Sequence, residues 1–367
     1  MAPVLRSRAP TTAQWLRPER LKGPKMDFLS LFILYFICVL ACVFLLCLGA
    51  RGNQNFQGRI LGGAAQVCSC VVPAWLQRVI QRELHRLFYT RSWMFLALHI
   101  VLEVAVYSEY TLEIYGYCQE LEFSGRHLHL PYVLGAANMG FFWLCCTTDP
   151  GTITAYNQAF YLQVYKYDGV MFHKGRICGS CQTAKPARSK HCGVCDRCVH
   201  RFDHHCVWVN NCIGAYNTKY FLVYLVTLTL MTVDLVAIIT YFLVQVVFLS
   251  NMLMGSYLDT QGQEHAVEML FVIQHLFLTF PRIVFLLGFL IILFFLIGGY
   301  TCFVLYLLLR NQTSNEWCKA RAQGCLSCLQ GVPHHQHVYY QNIYTKGLLA
   351  NIKEALQPTA SLMEKNK

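Results

Sequence analysis

Residues 178–212 read CGSCQTAKPARSKHCGVCDRCVHRFDHHCVWVNNC. Seven of the chain's 19 cysteines fall here: Cys178, Cys181, Cys192, Cys195, Cys198, Cys206 and Cys212. Four histidines lie among them, His191, His200, His204 and His205. Repeated C-x2-C pairs let two thiolates from one tight turn reach one ion at about 2.3 Å, the economy of a structural zinc site. A closed structural zinc takes four ligands, so two zincs take eight. The stretch offers eleven donors, and three are left over. A purely structural module has little use for spare reactive groups. The loaded string is Asp203-His204-His205-Cys206, a thiol beside an imidazole with a carboxylate next in line. That is the order of nucleophile, base and orienting group.

Long apolar runs flank the stretch. Of 367 residues, 55% are apolar and 13% charged, against roughly 25% charged in an ordinary soluble domain. Mean hydropathy is +0.38. This excludes a disordered protein and argues against a single soluble domain. The 19 cysteines are about 5% of the chain, below the roughly 8–10% of secreted disulfide scaffolds. Inside the cluster, a cytoplasmic loop would keep thiols reduced. The C-x2-C pairs also lack a thioredoxin-like surround.

Phe28 to Leu48 runs 21 residues without a charge, longer than the roughly 7–15 apolar residues of a signal peptide. It reads as a retained anchor. Further spans read near Trp93 to Leu112, Leu128 to Thr148, Tyr220 to Leu249 and Ile283 to Leu309. Val267 to Phe280 reads as a lumenal or interfacial lead-in, because Pro281 would kink or end a helix there. The fold class is therefore an all-α polytopic membrane protein of about five transmembrane helices. A small zinc-bound cysteine-rich domain sits between spans three and four. The organisation is 1–27 basic segment, 28–48 anchor, 49–92 loop and 93–148 spans two and three. Then come 149–219 cysteine-rich domain, 220–309 spans four and five, and 310–367 tail.

The net charge of +11 reads as loop charge under the positive-inside rule, ahead of nucleic-acid binding. Segments 50–92, 149–219 and 310–367 carry six, nine and seven basic residues, while Arg126 and Arg282 stand alone in the other loops. The basic segments take the cytoplasmic side. The first 27 residues carry six more basic residues, so charge does not orient the first span. Initiation at Met26 would remove them.

With Asp203-His204-His205-Cys206 inside a repeated C-x2-C frame, the chain resembles the DHHC cysteine-rich family of protein S-acyltransferases, or palmitoyltransferases. Further residues carry the likeness. Asp149-Pro150-Gly151 follows the third span, where the family has Asp-Pro-Gly. Thr313-Ser314-Asn315-Glu316 follows the last span, where the family has Thr-Thr-x-Glu; Ser314 keeps the hydroxyl and loses the methyl. Asn342 to Gly347, continuing to Asn351, is similar to the family's C-terminal motif. The family core has four spans, so the Phe28 to Leu48 anchor and the basic segment before it are departures.

The resemblance implies one zinc on Cys178, Cys181, His191 and Cys198, and another on Cys192, Cys195, His205 and Cys212. Both zincs would be structural. Cys206 and His204 are then free of metal, Asp203 orients His204, and His200 is a spectator. The expected reaction is attack of Cys206 on a fatty acyl-CoA, typically palmitoyl-CoA, with His204 as base. The acyl group then passes to a cysteine of a second protein. Lys185, Arg188, Lys190 and Arg201 would meet coenzyme A phosphates, or simply mark the cytoplasmic, anionic-lipid face. Ser314 would contact Asp203, or the motif would serve only a helix end. Asn351 would brace the C-terminal segment, or be a surface asparagine. The expected partners are membrane-associated proteins with juxtamembrane cysteines and the bilayer, with no nucleic acid. The expected compartment is endoplasmic reticulum or Golgi, with the catalytic domain cytoplasmic.

Glu103 and Asp234 are costly in lipid and should face the bundle, in a satisfied hydrogen bond or an ion path. Cys318, Cys325 and Cys328 read as acylated juxtamembrane thiols, as plain reduced cysteines, or as a weak metal site with His334, His335 and His337. Glu364 to Lys367 only weakly resembles a retrieval signal. A non-catalytic zinc adaptor would not require the three spare donors. A transporter would show inverted repeats or paired broken helices, and neither is evident.

Overall fold

The computed structural model of the chain describes residues 74–258, 263–329 and 341–358. The Phe28 to Leu48 anchor, the possible start at Met26, His334, His335, His337 and the Glu364 to Lys367 end lie outside the described residues.

Among the described residues, four helices are long and apolar enough to cross a membrane: Met94–Glu120, Gly125–Thr147, Thr218–Leu249 and Pro281–Leu309. The shortest has 23 residues, about 35 Å of helix, enough for a hydrocarbon core of about 30 Å. Their outward side chains include Val133, Trp143, Phe248 and Phe295, each at least 64% exposed. Large apolar groups left exposed on long apolar helices are the signature of lipid-facing surface.

Two boundaries depart from the sequence expectation. The first of these helices runs past Leu112 to Glu120, through a π-helical turn at Tyr110–Ile114. Its acidic residues lower the hydropathy, but no Pro interrupts the run, and the helix carries through Gly116. The second begins at Gly125, so Pro131 lies inside it. Proline disturbs the carbonyls one turn back. Tyr110 donates its hydroxyl to the carbonyl of Leu128 at 2.9 Å, and Tyr107 donates to that of Pro131 at 2.6 Å. The lead-in before the last span is a helix of its own, Met269–Thr279, and Pro281 opens the next helix. Proline suits that first position, where its missing N–H costs nothing.

The chain forms two compact units. One comprises 103–132 and 231–293 of the described residues. Within it Glu103 is buried, Asp234 is half-buried, and Arg282 donates to Glu113 at 2.6 Å. The Oδ2 atom of Asp234 has no hydrogen-bond partner among the described residues. A small hairpin, Ser256–Leu258 with Glu264–Ala266, also belongs here.

The other unit comprises 74–102, 133–230 and 294–358 of the described residues, and it holds the whole cysteine-rich stretch. Strands β1 (Thr152–Ile153), β2 (Lys190–Cys192) and β3 (Arg197–Val199) form an antiparallel sheet in the order β1-β3-β2. Strands β4 (His204–Cys206) and β5 (Asn211–Ile213) form a second hairpin. The strands are only two or three residues long. Pairs of that length are marginal alone in water, so this module calls for other ties.

Candidate active site and metal centres

Alternation along a strand explains how eleven donors are sorted. Successive side chains on a strand point to opposite faces. On β2, His191 and Cys192 therefore part company. His191 pairs across with Cys198 on β3 and joins Cys178 and Cys181. Cys192 turns the other way and joins Cys195, His205 and Cys212. On β4, His205 faces its cross-strand partner Cys212, while His204 and Cys206 share the opposite face. One hairpin thus feeds both metal-ligand sets, and the next separates a ligand from the reactive pair.

Within each set the four donor atoms lie within 4.8 Å of one another. A tetrahedron with arms of about 2.0–2.3 Å has edges of about 3.3–3.8 Å. In the first set His191 Nδ1 lies 3.2 Å from Cys181 Sγ and 3.9 Å from Cys198 Sγ. In the second, His205 Nδ1 lies 3.8, 3.4 and 3.7 Å from the sulfurs of Cys192, Cys195 and Cys212. Cys195 and Cys212 sulfurs are 3.6 Å apart, beyond the roughly 2.05 Å of a disulfide. The donors therefore fit a four-coordinate ion such as zinc. His191 also turns Nε2 toward Asp196 at 3.5 Å, the outer contact that orients a ligating imidazole. With four protein donors each, both sites are closed to water, so bound metal would supply structure.

The reactive face holds Asp203, His204 and Cys206. His204 Nδ1 donates to Asp203 Oδ2 at 2.6 Å, which leaves Nε2 for the sulfur. Burial opposes a charge on His204, but the hydrogen bonds and charges of Asp203 and Cys206 outweigh it and hold its pKa up at about 10. Burial likewise opposes the Cys206 thiolate. The hydrogen bond and charge of His204, with backbone N–H groups of Val209 and Trp208, bring that thiol below its ordinary value. Asp203 is also held low against burial by His204 and Ser314. Both shifts favour a thiolate–imidazolium pair backed by a carboxylate, the condition of an activated cysteine.

The far side of Asp203 is fixed by a helix end. Its Oδ1 accepts the backbone N–H of Ser314 at 2.7 Å, the first residue of helix Ser314–Leu329. Thr313 and Glu316 form a capping box there. Thr313 Oγ1 accepts from Glu316 N at 3.2 Å, and Glu316 Oε2 accepts from Thr313 N at 2.9 Å. The partial positive end of that helix therefore points at the Asp203 carboxylate. The helix-end role and the contact to Asp203 are one arrangement.

With this geometry in view, comparison with known proteins is direct. The family profile described as DHHC palmitoyltransferase matches residues 171–321. Palmitoyltransferase ZDHHC4 of Mus musculus is 51% identical over 345 residues, covering 93% of this chain and 100% of that one. The ZDHHC4 of Bos taurus is 50% identical over 342 residues, covering 93% and 99%. The chain belongs to the DHHC palmitoyltransferase family. It is a membrane protein of that family of protein S-acyltransferases. Palmitoyltransferase SWF1 of Yarrowia lipolytica is 44% identical over a shorter stretch of 84 residues, 23% of this chain and 22% of that one.

The family's other motifs act as ties around the DHHC centre. Asp149 accepts the N–H groups of Gly151 and Thr152, both at 2.7 Å, and turns the chain from helix Gly125–Thr147 into β1. Gly151 takes a φ of +103°, which a side chain resists, and its carbonyl accepts from His200 N. The Pro150 carbonyl lies against Gly214, where a Cβ would come within 2.4 Å of it. Asn351 accepts from Lys346 N and donates to Leu309 O at 2.7 Å, so it braces the tail against the last span. His200 is fully buried between the rings of Tyr161 and Tyr165, at centroid distances of 4.4 and 5.2 Å. Burial, aided by Arg188 and Arg201, lowers its pKa to about 3.

Arg188 corrects the sequence reading. Expected at a coenzyme phosphate, its side chain is fully buried. Nε and Nη2 donate to the two Glu316 oxygens at 2.7 and 2.9 Å. Nη1 and Nη2 also donate to Asn311 Oδ1 and O, and Tyr165 and Tyr344 rings lie at 5.0 and 4.3 Å. Arg201 is buried too, and its Nη2 donates to Asn311. Both arginines join the DHHC module to the segment after the last span. Lys190 is exposed and Lys185 half-buried. The sequence reading missed Lys319, whose pKa is lowered by burial and by the charges of Lys190 and Lys185. It also missed Asn211. That side chain donates to the carbonyls of Cys145, Cys146 and Thr148 at 3.0, 3.4 and 3.0 Å, closing the end of helix Gly125–Thr147. Unmet carbonyls at every helix C-terminus are the general signal, but only tertiary contact names the donor. Cys318 is exposed; nothing is described for the side chains of Cys325 and Cys328.

Proposed function

We propose that this enzyme carries the acyl group as a thioester on Cys206, taken from a fatty acyl-CoA and typically palmitoyl. The observation that carries the reading is the 2.6 Å bond from His204 to Asp203, on the same face of β4 as Cys206. The Cys206 thiolate adds to the acyl-CoA carbonyl, and the carbon–sulfur bond to coenzyme A breaks. The imidazolium of His204 protonates the departing coenzyme A thiolate. The neutral imidazole next takes the proton of an acceptor cysteine. That thiolate attacks the Cys206 thioester, and Cys206 leaves as thiolate. Each step exchanges one thioester for another, so no ATP enters. Residues Cys178, Cys181, His191 and Cys198, and Cys192, Cys195, His205 and Cys212, would hold two structural zincs, and the ions would keep β4 in place.

Lys185, Lys190 and Lys319 form a basic cluster suited to coenzyme A phosphates. The charge asymmetry of the loops supports a cytoplasmic catalytic face. A thiol acceptor must reach Cys206 near the end of a membrane helix, which supports membrane-associated substrates with juxtamembrane cysteines. Family resemblance supports endoplasmic reticulum or Golgi membranes.

The test is incubation of the purified protein with a clickable fatty acyl-CoA. Hydroxylamine-sensitive label should appear on the chain, vanish in Cys206→Ser and fall steeply in His204→Ala. Normal labelling of Cys206→Ser would overturn the assignment.

A further inference from the structure

Helix Ala74–Tyr89 ends just before the first described span begins at Met94. None of the reactions above uses it. Trp75, Val79, Arg82, Arg86 and Tyr89 follow one another at steps of three and four residues, so they share one helical face. All five are exposed, as is the neighbouring Arg78. Glu83 is the one acidic residue of the helix, against Arg78, Arg82 and Arg86. Exposed arginines interleaved with Trp, Val and Tyr are the composition of a helix lying in the headgroup layer. The link to the span is too short to carry it far from the bilayer: four residues extend at most about 14 Å.

The same helix is tied to the catalytic hairpin. Phe88 lies against Phe95 at 5.4 Å, and Phe95 against Trp208 at 5.3 Å. Arg91 Nη2 donates to the Asn210 carbonyl at 3.4 Å. Trp208 and Asn210 belong to the turn between β4 and β5 that follows Cys206, and the Trp208 N–H is one of the groups holding the Cys206 sulfur.

The geometry points to helix Ala74–Tyr89 as an anionic-lipid sensor: it docks on phospholipid headgroups beside Cys206 and steadies the catalytic turn through Phe88, Phe95 and Trp208. The occupant is the bilayer surface itself. Arginine beside a phosphatidylserine surface gains about fivefold in surface affinity, so Arg82 and Arg86 together supply about 25-fold.

The experiment uses the full-length protein in vesicles of phosphatidylcholine, alone or with graded phosphatidylserine. Hydrogen exchange over residues 74–89 reads docking, and the rate of self-acylation reads coupling. Phosphatidylserine should slow exchange in the helix and raise the rate severalfold. Arg82→Gln/Arg86→Gln should weaken docking up to about 25-fold, read as that much less protection at the same phosphatidylserine fraction, with its rate in pure phosphatidylcholine unchanged. Phe88→Ala should keep the protection and lose the stimulation. Equal exchange in both lipids, or a double variant like the parent, would overturn docking. Protection without any change in rate would overturn the coupling. Because exchange is read without acyl-CoA, failure here is separable from failure of the Cys206 assignment.

Discussion

Replacing Glu316 with glutamine removes one charge from a pair in which both side chains are 0% exposed. The parent carboxylate meets Arg188 twice, at 2.7 and 2.9 Å, and accepts the Thr313 N–H with the same oxygen that takes Nη2. Glutamine keeps the shape and loses the charge, so the guanidinium stays buried without its counter-ion. Breaking a buried pair this way costs about 3–5 kcal/mol. Converted at about 2–4 °C per kcal/mol, the midpoint should fall by roughly 6–20 °C. Near-ultraviolet circular dichroism in lipid nanodiscs, at one fixed scan rate, measures the shift. The KM for acyl-CoA should stay near that of the parent at temperatures where the variant is folded. A midpoint within about 2 °C of the parent, with KM raised severalfold, would refute the bracing role and return Arg188 to the coenzyme.

Three further outcomes follow from the same geometry. Asp203→Asn keeps the side-chain shape but loses the carboxylate that selects the His204 tautomer; single-turnover acylation should slow by about 10²–10⁴, with zinc content unchanged by elemental analysis. Cys192→Ser removes a ligand from one set on the strand that carries His191 to the other, so bound zinc should fall by more than one ion per chain. Loss of a single ion would show that the sites fold independently. Gly214→Ala would push a Cβ to 2.4 Å from the Pro150 carbonyl and 2.6 Å from Val199; it should destabilise by about 1–3 kcal/mol or more, read as a lower midpoint, while Gly193→Ala, which meets nothing within 4 Å, should fold.

Much of the site was legible because its residues are local. The DHHC string and the C-x2-C pairs lie within 35 positions, and zinc spacing is written in the chain itself. The apolar runs of four spans were legible for the same reason, although Glu103, Glu109 and Glu113 masked how far the first extends. The role of Arg188 was not legible. Glu316 lies 128 positions away, and a basic residue in a basic loop reads as solvent-facing until a buried carboxylate is found for it. Asn211 escaped for a similar reason, since the carbonyls it meets are 63 to 66 positions distant.

The sequence by itself determined the chemistry available: a spare thiol, imidazole and carboxylate in one string, donors for two metal ions, and helices long enough for a bilayer. These depend on residue type and on spacing along the chain. Tertiary structure alone decided which donor faces which partner. The two-residue period of β2 and β4 sends His191 and Cys192, and His205 and Cys206, to opposite sides. The helix end at Ser314 supplies the hydrogen bond that holds Asp203. The strand pairings join residues at most nine positions apart but exist only in the folded module, and the bond from Ser314 to Asp203 spans 111 positions, which no local pattern encodes.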